Sequence, residues 1–170
     1  MDLTKTITLT SVGIIAFTIS LTVTQLLIRK EKSKSESEGK ILLAYGILFS
    51  NWVISFSFLN FKTLSILNEF VDTIYKVNTV NPLIEIAKTS VLFIGLTNTW
   101  LILWYYITKA LSVIFTGKRV DVNEIEGNNY VYFILKGIVF IGFVYSLMPV
   151  FEGILRTFFP NIEIPFYRYL

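Results

Sequence analysis

The chain has 170 residues, of which 54% are hydrophobic and only 16% charged, with a mean hydropathy of +0.64. A soluble domain of this size has too little polar surface to cover so much apolar side chain, so the composition specifies an integral membrane protein. The net charge of +3 raises nucleic acid as a partner, but the Lys and Arg residues cluster between apolar runs, where membrane orientation accounts for them. Cys and His are both absent, which removes disulfides, thiolate nucleophiles, imidazole bases, ordinary zinc sites and His-ligated haem.

The first apolar run, residues 7–28, has only Lys5 before it and Arg29, Lys30, Lys32 and Lys34 after it. A cleaved signal peptide has the opposite polarity, so this run reads as a retained transmembrane helix with its N-terminus outside. Thr8, Val12, Ala16, Ser20 and Thr24 share one helical stripe. Small residues at this spacing let helix backbones approach closely in lipid, while the hydroxyls can equally bond their own backbone carbonyls. Residues 29–40 carry five cations and three acids among Ser and Gly and read as a solvated cytoplasmic loop.

The second span covers residues 41–61, with Gly46 and Ser50 forming another small pair and Asn51 at its centre. Residues 63–78 place Leu64, Leu67, Phe70, Val71, Ile74 and Tyr75 on one helix face, the pattern of an extra amphipathic helix on the outer side, either lying in the interface or packed on neighbouring spans. Asn81 and Pro82 then restart the chain, as N-cap and first helical residue. Taken as one helix, residues 81–115 are about 50 Å long against a hydrocarbon core of about 30 Å, so one end must leave the bilayer. Two placements of the third span, within 83–111, are open. In one, Trp100, Trp104, Tyr105 and Tyr106 form an inner aromatic belt; in the other, Glu85 and Lys88 are on an outer extension and Lys109 marks the inner boundary. Both leave Asn98 inside the membrane.

Gly117 is positioned to end that helix, and residues 116–129 read as a second cytoplasmic loop. The fourth span, 130–155, is interrupted by Pro149. Lys136 has no acid three or four positions away, and snorkelling to the headgroups is its default explanation, with an interior ion site as the alternative. Glu152 and Arg156 are four apart and can pair at the outer boundary; the aromatic tail beyond them reads as interfacial. The cations assigned inside outnumber those outside by eight to six, which favours both termini outside a plasma or inner membrane.

The predicted fold is therefore all-α and polytopic, one domain of four transmembrane helices with an extra interfacial helix between the second and third. No Walker loop, G-x-G-x-x-G, G-x-S-x-G or paired metal-spaced carboxylates occur, so no enzyme, cofactor or metal is expected. Asn51, Asn98, Ser20 and Ser50 are the candidate intramembrane packing or pore residues; Glu85, Lys88, Lys109, Lys136, Glu152 and Arg156 are the candidate interfacial charges. The first functional reading is a homo-oligomeric pore or membrane effector in which Asn51 and Asn98 face a shared interior. A second is an accessory or neutralising subunit bound to another membrane protein. A carrier for an apolar or lipidic substrate is a weaker third.

Overall fold

Nothing between residues 47 and 77 stops a helix, because the stretch has neither proline nor glycine and its apolar residues recur on one face from Leu48 to Ile74. In the computed structural model, which describes residues 3–77 and 81–159, this becomes one helix, α3 (Leu43–Val77). It follows α1 (Leu3–Leu27), a single turn α2 (Arg29–Lys32), and a hairpin of β1 (Glu36–Ser37) and β2 (Lys40–Ile41). After it come α4 (Pro82–Thr116), α5 (Asp121–Glu126), α6 (Tyr130–Ser146) and α7 (Met148–Arg156). Three helices, α1, α3 and α4, are long and apolar enough to cross a membrane, and a fourth is counted if α6 and α7, bent by 41° at Leu147, form one span.

Two expectations are corrected. The amphipathic segment 63–78 is not a separate helix: as far as Val77 it is the second half of α3, and only residue 78 lies outside the described residues. Of the two placements of its apolar face, the packed one is observed, since Leu67, Phe70, Val71 and Ile74 are all buried within the bundle. Residues 29–40 are not merely loop, because Glu38 and Gly39 take positive φ of 53° and 73° and close a tight turn between the two short strands. The expected interfacial tail lies outside the described residues from 160 onward.

Helix α3 is the axis, with α1, α4, α6 and α7 packed around it. Helix α1 runs antiparallel to it, Lys5 near its start pairing with Asp72 late in α3, while Phe17 meets Phe56 with ring centroids 5.0 Å apart and Ser20 meets Asn60. The two anticipated roles fall to different residues of α1. Ala16, Ser20 and Thr24 are buried, whereas the off-stripe hydroxyls of Thr18 and Thr22 donate to the carbonyls of Ile14 and Thr18 in their own helix. Helix α4 is also antiparallel, fixed by a 2.7 Å hydroxyl pair between Thr63 and Thr97 and by Trp52 against Tyr105. Helix α6 runs parallel to α3, pairing Phe140 with Trp52 and Tyr145 with Phe58.

The helix boundaries follow local chemistry. Pro82 opens α4, although the Asn81 side chain makes no capping bond, and Gly117 at φ 74° ends it by donating to Val113 O. Trp100 stacks on Phe151 and Trp104 on Phe143, with both indole Nε1 atoms enclosed and without a partner among the described residues. This pair packs α4 onto α6 and α7.

Candidate functional site

The segment after Gly117 does not run free. The chain bends at Lys118, Val120 is extended, and α5 then turns back under the bundle, burying Ile125 completely and leaving Asp121 only 2% exposed. Two asparagines anchor its far end. Asn128, at φ 48°, accepts from the Ala44 N–H at the start of α3, and Asn129 caps α6 by accepting from Tyr132 N. Lys34 meets Glu126 at 2.8 Å, and Arg119 meets Glu124 at 3.2 Å. These contacts hold α5 against the helix ends like a plug.

Asp121 is thereby brought to Lys136, which is 3% exposed. The lysine Nζ donates to both carboxylate oxygens at 2.8 and 2.7 Å. Tyr132 OH donates to Oδ1 at 2.7 Å, and Tyr105 OH reaches Oδ2 at 3.4 Å. Lys109, half-exposed, stands 3.4 Å from Oδ2 at the rim. Both tyrosine rings also face the ammonium, with centroids 5.2 and 5.7 Å away. Burial alone pushes the Asp121 carboxyl up, but the charges of Lys136 and Lys109 and the bonds from Lys136 and Tyr132 outweigh it and hold the group below the usual carboxylate range.

Each oxygen of Asp121 is therefore met by several donors, which occupies the lone pairs a substrate proton or a metal would need. Among the described residues no three acidic side chains come together in a metal-binding group. Beside Lys136 is a cavity of about 10 Å³ lined by Asn51, Trp52, Tyr105, Thr108, Gly137 and Phe140 among others, room for one water at most. Trp52 Nε1 and Thr108 Oγ1 are buried without a partner among the described residues. The cluster is a sealed electrostatic joint between α4, α5 and α6, and its geometry suits locking more than turnover.

The residues singled out from sequence fall in separate places. Lys136 does not snorkel: desolvated Asp121 offers it a charge partner that the headgroups would otherwise supply. Asn51 donates to the Phe133 carbonyl at 2.9 Å, tying α3 to α6, while Asn98 donates to Ile94 O in its own helix and leaves Oδ1 buried without a partner among the described residues. The two amides share no interaction. Ser20 accepts from Asn60 Nδ2 at 3.1 Å inside the bundle; Ser50 is on the outside. Glu85 and Lys88 pair with each other at 3.0 Å. Glu152 and Arg156 pair at 2.8 Å and are joined by two residues of α3, Lys62 at 2.5 Å from Glu152 and Glu69 at 2.7 Å from Arg156.

Sequence reasoning missed Asp121, Tyr105, Tyr132 and Asn60. Asp121 and Lys136 are fifteen residues apart and on different elements, so no helical spacing rule links them. The available signal was the run Val120, Asp121, Val122, Asn123, Glu124, Ile125, whose apolar residues mark a short helix in a stretch otherwise read as loop. No protein-family model matches the chain, and no curated protein or solved structure is significantly similar to it.

Proposed function

We propose that the chain is an accessory subunit of a larger membrane assembly, an integral membrane protein that has no catalytic step of its own and works by packing against the helices of another membrane protein. The observation that carries this reading is a set of small-residue pairs left open on the outside. Gly46 with Ser50 on α3, Gly95 with Thr99 on α4, and Gly142 with Ser146 on α6 each have the i, i+4 spacing of close helix packing. A Cβ added at any of the three glycines would meet nothing within 4 Å. The last pair lines an open apolar groove of about 330 Å³ with Val139, Phe143 and Leu147.

Two further features support an accessory role over a pore. The bundle axis is filled by Trp52, Phe56, Phe93, Phe133 and Leu101, all fully buried, so a single chain offers no conducting path. The α1 stripe, at Ala16, Ser20 and Thr24, is already used within the chain and is closed to a second copy.

Photocrosslinkers placed at Ser50 and Ser146 in native membranes test the reading. An adduct with a different, larger membrane protein is expected. Adducts of the chain with itself alone, together with ion conduction in reconstituted vesicles, would replace it with the homo-oligomeric pore.

A further inference from the structure

Where the end of α4 and the start of α6 diverge, an open cavity of about 200 Å³ remains. One wall is apolar, formed by Phe115, Val131 and Leu135; the other is polar, formed by Thr116, Arg119 and Asn129. Val131 and Leu135 are four residues apart, so with Ile138 they form one exposed apolar strip running along α6 away from the polar wall. Arg119 is held in place by Nε donating to Thr116 O at 2.8 Å and Nη1 meeting both oxygens of Glu124 at 3.2 Å. Its second terminal nitrogen, Nη2, has no partner among the described residues, and exposed Lys118 is adjacent.

We propose that this cavity binds one anionic phospholipid, with the phosphate on Arg119 and Lys118 and an acyl chain along Val131, Leu135 and Ile138. The proposal rests on the membrane reading but not on the accessory role. Three features select this occupant. Polar groups are at the helix ends and apolar groups along the helix, which is the order of headgroup and chain in a leaflet. With Glu126 engaged by Lys34, the four cations Lys109, Lys118, Arg119 and Lys136 face Asp121, Glu124 and, at longer range, Glu31, so a net positive charge is left to attract an anion. The volume is below the roughly 300 Å³ of a typical closed ligand site, so it admits a phosphate and glycerol while the chain stays in the bilayer.

The test reconstitutes the full chain in phosphatidylcholine vesicles with or without phosphatidylglycerol and measures retained lipid by native mass spectrometry. The wild type is expected to keep one phosphatidylglycerol in preference to phosphatidylcholine. Arg119→Gln should weaken that preference by about tenfold, the size of one lost charge-assisted phosphate bond. Leu135→Trp should produce a similar loss by filling the apolar wall while leaving every Arg119 bond in place, which keeps the test meaningful if Arg119→Gln disturbs α5. Lys30→Gln should change nothing. Equal retention in wild type, Arg119→Gln and Leu135→Trp would overturn the proposal. Competition by glycerol 3-phosphate as strong as by the lipid would reassign the cavity to a soluble anion, and failure of the chain to enter vesicles of either composition would reject both the site and the membrane reading.

Discussion

Replacing either member of the Asp121–Lys136 pair should destabilise the bundle, and the two losses should be unequal. Asp121→Asn leaves the ammonium of Lys136 buried with only a neutral amide and two ring faces around it, because Asp121 is its one ion-pair partner. Removing one side of a buried pair costs about 3–5 kcal/mol. Lys136→Met leaves the carboxylate with Tyr132 OH at 2.7 Å, Tyr105 OH at 3.4 Å and Lys109 at 3.4 Å, so it should cost about 1–3 kcal/mol. The double variant has no uncompensated charge and keeps similar volume, so it should be within about 1–2 kcal/mol of wild type. Denaturation in mixed micelles, followed by the fluorescence of Trp52 whose ring is 4.6 Å from that of Tyr105, reads all four proteins. Lys136→Met as damaging as Asp121→Asn, or a double variant whose loss equals the sum of the singles, would refute the joint described above.

Other consequences are as direct. A Cβ at Gly137 would overlap the Asn51 carboxamide, so Gly137→Ala must displace Asn51 and break its bond to Phe133 O; a loss of about 2–4 kcal/mol is expected, largely restored by adding Asn51→Ala in the same micelle assay. Because the Asp121 carboxyl is held low, the stability its ionised form contributes is full above about pH 4 and is lost only as pH falls through the lowered native value. The difference between wild type and the double variant Asp121→Asn/Lys136→Met, which has neither titrating partner, should thus be constant from about pH 8 to pH 5. A decline within that window would mean that desolvation, not Lys136, Lys109 and the tyrosines, sets the titration. Ser20→Leu should cost about 1–3 kcal/mol by overpacking the α1–α3 contact, whereas Ser50→Leu should leave stability unchanged while reducing partner capture in crosslinked membranes.

Much of the architecture was legible because it rests on local rules. Apolar length gave the long helices, Gly117 and Pro82 their ends, and the spacing of Glu152 and Arg156 their pairing. The division of residues 41–78 into two helices failed because the polar group Asn60, Lys62, Thr63 resembles a membrane boundary. In the folded chain the Asn60 amide donates to Ser20 and Thr63 pairs with Thr97 inside the bundle, so the helix continues through these polar residues. The site itself was illegible for a related reason. Lys136 alone indicated an anomaly, but its solution lies in a six-residue helix whose position depends on Asn128 and Asn129 binding the ends of two other helices. Such tertiary anchoring leaves no periodicity to read.

The heights of the two charged clusters along α3 give Lys136 its significance. Asn51 marks the level of Gly137, next to Lys136, and Lys62 marks the level of Glu152. Eleven residues separate them, about 16 Å of helix, while a hydrocarbon core is about 30 Å thick. A bilayer enclosing this bundle therefore cannot leave both clusters outside. The Lys62–Glu152–Arg156–Glu69 group is 25–46% exposed and suits a wet headgroup layer, where such pairs contribute no more than about 1 kcal/mol each. The Asp121–Lys136 pair is sealed on all sides and suits the apolar layer, where an unpaired charge would cost several kcal/mol. With Lys62 at the outer boundary, a 30 Å core extends back along α3 to about residue 42, the point where Lys40 and the cationic loop begin. On the proposed membrane reading, that placement would bring Asn98, one residue beyond the Thr63–Thr97 contact, close to this edge and leave the N-terminal half of α4, with Glu85 and Lys88, beyond it.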